Sequence, residues 1–271
     1  MTSQTTPFAD RRTQLADLVI PCIDVVHGEA TPASGISGLS DPGDVAGIAG
    51  RYAEDGATKL FVDVLDAWHE CPYLPSLLHE LKRTGMAVLV SVQQGRLPSV
   101  AGAGTVLEAG ADVLSVSTSV IEDRERVVSA VRQYGGERFM GVLNCASDGA
   151  GGWLVRVEGG TQDTGVQATA VATGLGQLGV AAVLANSLDR EGTSDGYDME
   201  LTRAIARASG LPTIASGGAG TADHLWAALR AGEAAYVLVN KMVHSGHTSV
   251  AALRDEMLAR WSTEKDSPCA P

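Results

Sequence analysis

The sequence predicts a single (βα)8 barrel, the TIM barrel fold, built from two half-barrels. Short apolar runs alternate with longer segments of helical period, and a glycine repeatedly ends a helix just before the next apolar run. The 271 residues suit one such barrel, which typically needs about 250. We expect the barrel at residues 16–262, between a flexible segment at 1–15 and a polar tail at 263–271.

Eight apolar runs bounded by glycine, aspartate or serine predict the barrel strands. These runs lie at residues 18–23, 59–64, 87–92, 113–116, 139–143, 181–185, 212–215 and 235–239. Helices are expected at residues 44–55, 74–84, 100–109, 168–178, 198–208 and 222–231. In EDGATKLFVDV, EAGADVLSVST, QLGVAAVLANS and RAGEAAYVLVN a strand begins directly after a helix-ending glycine. This arrangement predicts parallel strands joined by crossover helices.

The two halves of the chain resemble each other. VIPCIDVV and FMGVLNCAS are similar strands about 120 residues apart, and AVLVSVQQG resembles PTIASGGAG at nearly the same offset. The first and fifth strands are therefore expected to hold equivalent places in two fused half-barrels.

The charge balance limits the partners of this protein. A net charge of -12 disfavours binding to nucleic acid or to an anionic membrane, because such surfaces need clustered Lys and Arg. A phosphorylated small molecule would have to be held locally, by backbone N–H groups and helix N-termini. The first fifteen residues hold no apolar segment, so we expect a cytoplasmic protein, either a monomer or a homo-oligomer.

The cysteines and histidines give no sign of a metal or another cofactor. The four cysteines are widely separated, with no C-x-x-C pair, which predicts reduced thiols rather than a zinc site or disulfides. Two of the six histidines share one late segment, but no acidic or cysteine ligand stands at a recognisable spacing. We therefore expect neither a metal site nor a cofactor.

Two glycine-containing segments in the second half predict an anion site. Ser216, Gly217 and Gly218 open the segment SGGAGT, which follows a buried strand and precedes a helix. Such a turn presents backbone N–H groups to an anion, and the late strands are the commonest place for a phosphate in this fold. Gly192, in the loop 189–198, allows a second sharp turn nearby. The alternative is ordinary turn and helix-cap chemistry without a ligand.

Three segments together resemble a known enzyme family. They are VIPCIDVVHGE near the N-terminus, ANSLDREGTSDGYDMELTRAI at 185–205 and LPTIASGGAGTADH at 211–224. Their order and motifs are similar to the histidine-biosynthesis barrels, a family that includes the cyclase subunit of imidazole glycerol phosphate synthase and a phosphoribosyl isomerase. The resemblance implies that Gly192, Gly217, Gly218, Asn240 and Lys241 surround a substrate phosphate.

The resemblance also implies a first-half phosphate site, which departs from the family pattern. Where the family has three glycines after the third strand, this chain has Gln93, Gln94 and Gly95, followed by Arg96. Glutamine amides and the guanidinium group could still bind an anion. Hydroxyl groups remain after the fourth strand, at Ser117 and Thr118. The sequence leaves open whether this second site is intact.

The catalytic residues that the resemblance implies are only partly present. Asp24 corresponds to one of the two catalytic aspartates of the family, whereas the second position is Asn144, which cannot exchange a proton. Other acids at strand ends are Asp63, Asp189 and the nearby Glu191. Cys145 follows Asn144, but strand alternation points its side chain away from the site, so we expect it to be a packing residue. The family also has a lysine in the loop after the first strand, and the resemblance places that position at about Pro32, so this positive charge is absent here.

The family cyclase admits ammonia through a ring of charged residues at the N-terminal mouth of the barrel. The equivalent positions here are about Leu18, Lys59, Val113 and Ala182, so one charge remains. A glutaminase partner that would deliver ammonia is therefore not expected.

Three functions remain open from the sequence. The first is a divergent cyclase, lyase or isomerase that acts on a phosphorylated sugar or ribosyl-type metabolite by acid–base chemistry, in a specialised pathway. The second is the ordinary imidazole glycerol phosphate synthase cyclase. The third is a catalytically silent ligand-binding or scaffold subunit. The acids at the strand ends favour the first over the third, because a scaffold has no physical need for a polar strand-end site.

Overall fold

The computed structural model describes Leu15 and residues 17–266, with side chains described through Trp261. Eight parallel strands close into a ring, which confirms the predicted barrel. In chain order these strands are β1 (Val19–Val26), β3 (Lys59–Val64), β4 (Ala87–Val92), β5 (Val113–Val116), β6 (Phe139–Ser147), β9 (Ala182–Ser187), β10 (Thr213–Ser216) and β11 (Tyr236–Val239). The pairings of β1 with β11 and of β5 with β6 join the two half-barrels.

Helices connect successive strands on the outside of the ring. They are α1 (Val45–Glu54), α2 (Leu74–Lys82), α3 (Val100–Ala109), α4 (Thr118–Glu122), α5 (Arg124–Tyr134), α6 (Ala168–Leu178), α7 (Met199–Ser209), α8 (Ala222–Arg230), α9 (Lys241–His244) and α10 (Val250–Asp266). Gly110, Gly179 and Gly210 follow three of these helices with positive φ, as the repeated helix–glycine–strand pattern predicts.

Two apolar clusters form the core. The inner cluster fills the barrel with Ile20, Cys22, Phe61, Leu89, Met140, Leu184, Ile214 and Leu238. The outer cluster packs the other faces of the strands against the helices. Because side chains alternate along a strand, the second residue after an inner-cluster residue also faces inward, and at the strand end it meets the solvent-filled end of the barrel. The sequence places polar residues at several of these positions, which creates the site described below.

The structure also contains elements that the sequence analysis did not predict. A hairpin follows β6 and consists of β7 (Trp153–Val157) and β8 (Gln162–Gln167), antiparallel to it. Its second strand reads QDTGVQ and is largely exposed, so it has no apolar alternation to reveal it. Helices α4 and α5 and the short strand β2 (Glu29–Ala30) were likewise missed.

The predicted boundaries of the barrel can be compared with the structure only in part. Leu15 is buried in the outer cluster, at the edge of the predicted N-terminal segment, and residues 1–14 lie outside the described residues. The last helix continues to Asp266, past the predicted end of the barrel at 262. The remaining tail, 267–271, also lies outside the described residues.

Candidate active site

The carboxyl ends of the barrel strands surround a cavity of about 640 Å³. Polar side chains at the ends of six strands form much of its wall: Asp24, Asp63, Asn144, Asn186, Ser216 and Asn240. The wall also contains the predicted residues Ser117, Gly192, Gly217, Gly218 and Lys241. One cavity therefore brings together most of the residues that the sequence analysis selected, at the end of the barrel where this fold holds its ligands.

Asp24 lies near the end of β1, and its carboxylate is held at the cavity wall. Its Oδ2 accepts a hydrogen bond of 2.8 Å from the Nδ2 of Asn240. The thiol of Cys22 donates to Oδ1 over 3.5 Å. Burial, together with the Asp24 charge, raises the pKa of this thiol well above its usual value, so the sulfur keeps its proton and acts as a donor.

Asp63 is the neighbour of Asp24 across the β1–β3 pairing, where the two residues are register partners. Its Oδ1 is buried and has no hydrogen-bond partner among the described residues. Burial raises the pKa of Asp63 to about 6, the charges of Asp24 and Glu191 add to the rise, and the Ser91 hydroxyl partly offsets it. A carboxyl that titrates near neutral pH is suited to giving and taking protons.

Asn144 and Asn186 form an amide pair on the opposite wall of the cavity. The Nδ2 of Asn186 donates to the Oδ1 of Asn144 over 2.9 Å and lies 3.4 Å from Oε2 of Glu191. The sequence analysis did not select Asn186, although it stands two residues after the inward-facing Leu184 and so shares its face. Cys145 is buried in the outer cluster, as strand alternation predicts.

The second-half turn presents unpaired backbone donors to the cavity. Gly217 and Gly218 have φ values of 88° and 96°, a region that favours glycine. A Cβ on Gly218 would lie 2.4 Å from the carbonyl oxygen of Gly196, so only glycine fits. The N–H groups of Gly218, Ala219, Lys241 and Met242 have no hydrogen-bond partner among the described residues. The Lys241 side chain also forms no ion pair with the part of the chain that the structure describes.

The first-half turn keeps a left-handed backbone without two of the expected glycines. Gln93, Gln94 and Gly95 have φ values of 47°, 53° and 69°. Each glutamine is strained by about 1 kcal/mol in this region. Gly95 packs so closely that a Cβ would lie 2.5 Å from the Ser117 nitrogen. Gln94 and Ser117 line the cavity, whereas Gly95 and Thr118 are not part of its wall.

A residue that the sequence analysis did not select, Glu158, closes the cavity beside the first-half turn. It stands at the tip of the β7–β8 hairpin and lines the cavity with Gly159 and Thr161. No motif signals this role, because the hairpin sequence has the polar composition of a surface loop. The cavity wall therefore includes a carboxylate supplied by an element outside the barrel itself.

Asp189, which was selected as a catalytic candidate, does not line the cavity. Its Oδ2 accepts a hydrogen bond of 2.7 Å from the backbone N–H of Ser147, at the end of β6. This bond ties the loop after β9 to the neighbouring strand. The loop in turn carries Glu191 and Gly192 into the cavity wall.

The N-terminal mouth of the barrel is mostly apolar. Val113 and Ala182 pack against the inner cluster, together with Tyr236. Lys59 lies 4.9 Å from the centre of the Tyr236 ring and forms an ion pair with Asp17. The Asp17 carboxylate, which was not among the positions compared with the family, thus neutralises the charge of Lys59.

Within the described range, no group of three or more His, Cys, Asp or Glu side chains is arranged to hold a metal ion. No helix there is both long enough and apolar enough to span a bilayer.

Comparisons with known proteins agree with the barrel and its motifs. The model of the family described as "Histidine biosynthesis protein" matches residues 18–249. The imidazole glycerol phosphate synthase subunit HisF of Synechococcus sp. (strain CC9311) is 36% identical, over 89% of this chain and 93% of that protein. The subunit of the same name from Prochlorococcus marinus (strain MIT 9211) is 34% identical over the same shares.

Proposed function

Because the chain belongs to the histidine biosynthesis protein family, we propose that it is a cyclase-type enzyme acting on a phosphorylated sugar or ribosyl-type metabolite by acid–base chemistry. One observation carries this proposal: a cavity that combines two adjacent carboxyl groups with a set of unpaired backbone donors. Donors of this kind bind an anion, and carboxyls of this kind transfer protons.

The phosphate of the substrate binds at the second-half turn. Gly218, Ala219, Lys241 and Met242 line this part of the cavity with N–H groups that have no partner among the described residues, and the Lys241 ammonium adds the positive charge. Ser216, Gly217 and the loop at Gly192 complete the wall around the same end. A phosphate accepts several hydrogen bonds at once, which is the requirement that this set of donors meets.

Proton transfer is assigned to the carboxyl pair of Asp24 and Asp63. Asp24 acts as the base, since its carboxylate is held at the cavity wall by Asn240. Asp63, with its pKa near 6 and an unpaired oxygen, returns a proton to the substrate. Asn144 and Asn186 orient the substrate by hydrogen bonds, because an amide cannot exchange protons at neutral pH. Asp189 supports the loop without touching the substrate.

The mouth of the barrel favours a reaction without a glutaminase partner. The apolar Val113 and Ala182 and the neutralised Lys59 offer little charge for docking or for an ammonia entrance. We propose a reaction in a specialised pathway that takes its nitrogen, if any, from the substrate itself.

A second candidate is the ordinary cyclase reaction of imidazole glycerol phosphate synthase. Relatives near 35% identity that carry this name favour it. A turnover assay separates the two: the purified chain is given phosphoribosyl intermediates of histidine biosynthesis, once with an ammonium salt and once with glutamine and a glutaminase. Ammonium-dependent turnover supports the second candidate, and copurification with a glutaminase contradicts the first.

Variants of the carboxyl pair test the assignment on whichever substrate the wild type turns over. Asp24→Asn lowers kcat by about 10²–10⁴-fold, the usual worth of one general acid or base. Asn144→Ala has a milder effect, and Asp189→Asn serves as the matched control outside the cavity. Asn144→Asp alone does not create the ordinary cyclase activity. Unchanged turnover in Asp24→Asn would remove this residue from the mechanism and favour a silent binding subunit.

A further inference from the structure

The two anion turns of the barrel differ in which backbone donors are free. At the first-half turn, the N–H of Ser117 donates to the Gly95 carbonyl over 3.0 Å, and that of Ser119 to the same oxygen over 3.5 Å. The N–H of Thr118 donates to the Gln94 carbonyl over 3.4 Å. The left-handed turn therefore uses the donors that follow β5, whereas the second-half turn leaves its donors unpaired.

The cation beside the first-half turn is neutralised by two carboxylates. Arg96 forms one ion pair with Glu122, at 2.8 Å, and a second with Glu158. These contacts leave the group of three side chains with a net negative charge. At the other end of the cavity Lys241 has no such partner among the described residues.

The hairpin tip is fixed over the first-half turn by further contacts. The backbone N–H of Glu158 donates to Oγ1 of Thr118 over 3.3 Å. Thr118 in turn donates to the Gln94 carbonyl over 3.1 Å. The next residue, Gly159, lies beside the Gln94 side chain, and a Cβ there would be in ordinary van der Waals contact with its Cγ, at 3.4 Å. The Glu158 carboxylate is therefore held on the cavity wall beside this turn.

The charged side chains of the cavity wall also differ between the first-half and second-half ends. Glu158, Asp24, Asp63 and Glu191 line it as acids, and Lys241 is the basic side chain in the described wall. A second phosphate at the first-half end would meet carboxylates and find no free cation, so it would be repelled. A neutral or cationic group, such as a hydroxyl, amine or amidine, would instead find acceptors there.

From these contacts we infer that the substrate carries a single phosphate, bound at the second-half turn, and a neutral or cationic group at the end closed by Glu158. This inference rests on the proposed function and defines its substrate class. Glu158 acts as a specificity-determining residue, because its carboxylate lines the cavity beside the first-half turn.

Phosphate stoichiometry tests the inference on the full chain. Isothermal titration with inorganic phosphate is expected to show one site in the wild type, which Lys241→Met weakens. Glu158→Gln removes the blocking charge and leaves Arg96 paired with Glu122 alone among the described residues, so a second, weaker site is expected. Glu122→Gln is the matched control: it removes the other Arg96 partner but leaves the hairpin carboxylate on the cavity wall, and one site is expected.

Competition between sugar phosphates gives a second measurement that needs no variant. Wild-type protein is expected to bind ribose 5-phosphate more tightly than ribose 1,5-bisphosphate, and Glu158→Gln to shift this ratio towards the bisphosphate by about tenfold. Two phosphate sites in the wild type, or a preference for the bisphosphate, would overturn the inference while leaving the proposed function intact. No phosphate site at all would overturn both. An unchanged ratio in folded Glu158→Gln would remove Glu158 as the excluding group.

Discussion

Replacing Asp63 by asparagine tests whether the fold raises the pKa of this carboxyl to about 6. Burial, with the charges of Asp24 and Glu191, raises its pKa from 3.8 to about 6. The folded state then binds this proton more tightly than the unfolded state, so the group destabilises the fold as the pH rises through that range. A difference of about two pH units corresponds to about 3 kcal/mol, at about 1.36 kcal/mol for each unit.

The expected result is a pH-dependent difference between wild type and Asp63→Asn. Well below pH 3.8 the wild-type carboxyl is protonated in both states, so the two proteins differ least. Between about pH 4 and pH 7 the wild type loses up to about 3 kcal/mol relative to the variant, since asparagine has no charge to bury. Urea denaturation at several pH values measures the free energy of unfolding of both proteins.

Asp17→Asn provides a control of opposite sign. Burial raises the pKa of Asp17, but hydrogen bonds from Lys59 and Thr58 outweigh it and hold the pKa below its usual value. Its stabilising effect is therefore present at neutral pH and is lost as the pH falls below its ordinary range. Parallel stability curves for wild type and Asp63→Asn would refute the argument and remove Asp63 from proton transfer.

Three further substitutions test other parts of the structure. Gly218→Ala is expected to weaken phosphate binding at least about tenfold, because the new Cβ would clash with the Gly196 carbonyl oxygen. Gly210→Ala is the control: it also lies at positive φ but in open space, so phosphate affinity in isothermal titration should not change. Gln94→Gly should raise the free energy of unfolding by up to about 1 kcal/mol, since it removes the strain of a glutamine in the left-handed region. A lower melting temperature in this variant would contradict the argument. Asp198→Ala should lower the free energy of unfolding, measured by urea denaturation, by about 1–2 kcal/mol, because Asp198 caps α7 and accepts a hydrogen bond from the Trp153 indole N–H. Unchanged stability would show that neither bond contributes.

The sequence was sufficient for the barrel and for the second-half turn because both depend on local patterns. The helix–glycine–strand segments specify where each strand begins, and the turn at Gly217 and Gly218 needs glycine for its own backbone. Asp24 and Asp63 could be placed at strand ends by the same alternation that fills the inner cluster.

The parts of the site that the sequence did not indicate depend on contacts between distant segments. Glu158 reaches Arg96 across more than sixty positions of the chain, from a hairpin without apolar alternation. The left-handed glutamines at 93 and 94 break the expectation that only glycine takes this turn. The raised pKa of Asp63 depends on burial, which the identity of one residue does not reveal.

The hairpin between β6 and α6 belongs to the second repeat, yet its tip completes the binding end of the first. The two repeats are therefore not interchangeable, although their strands are related. Exchanging this one surface hairpin could retune the ligand end of the first repeat without any substitution in a barrel strand. Each half expressed alone would lack part of that end, so recovery of ligand binding on mixing the halves would report their correct assembly.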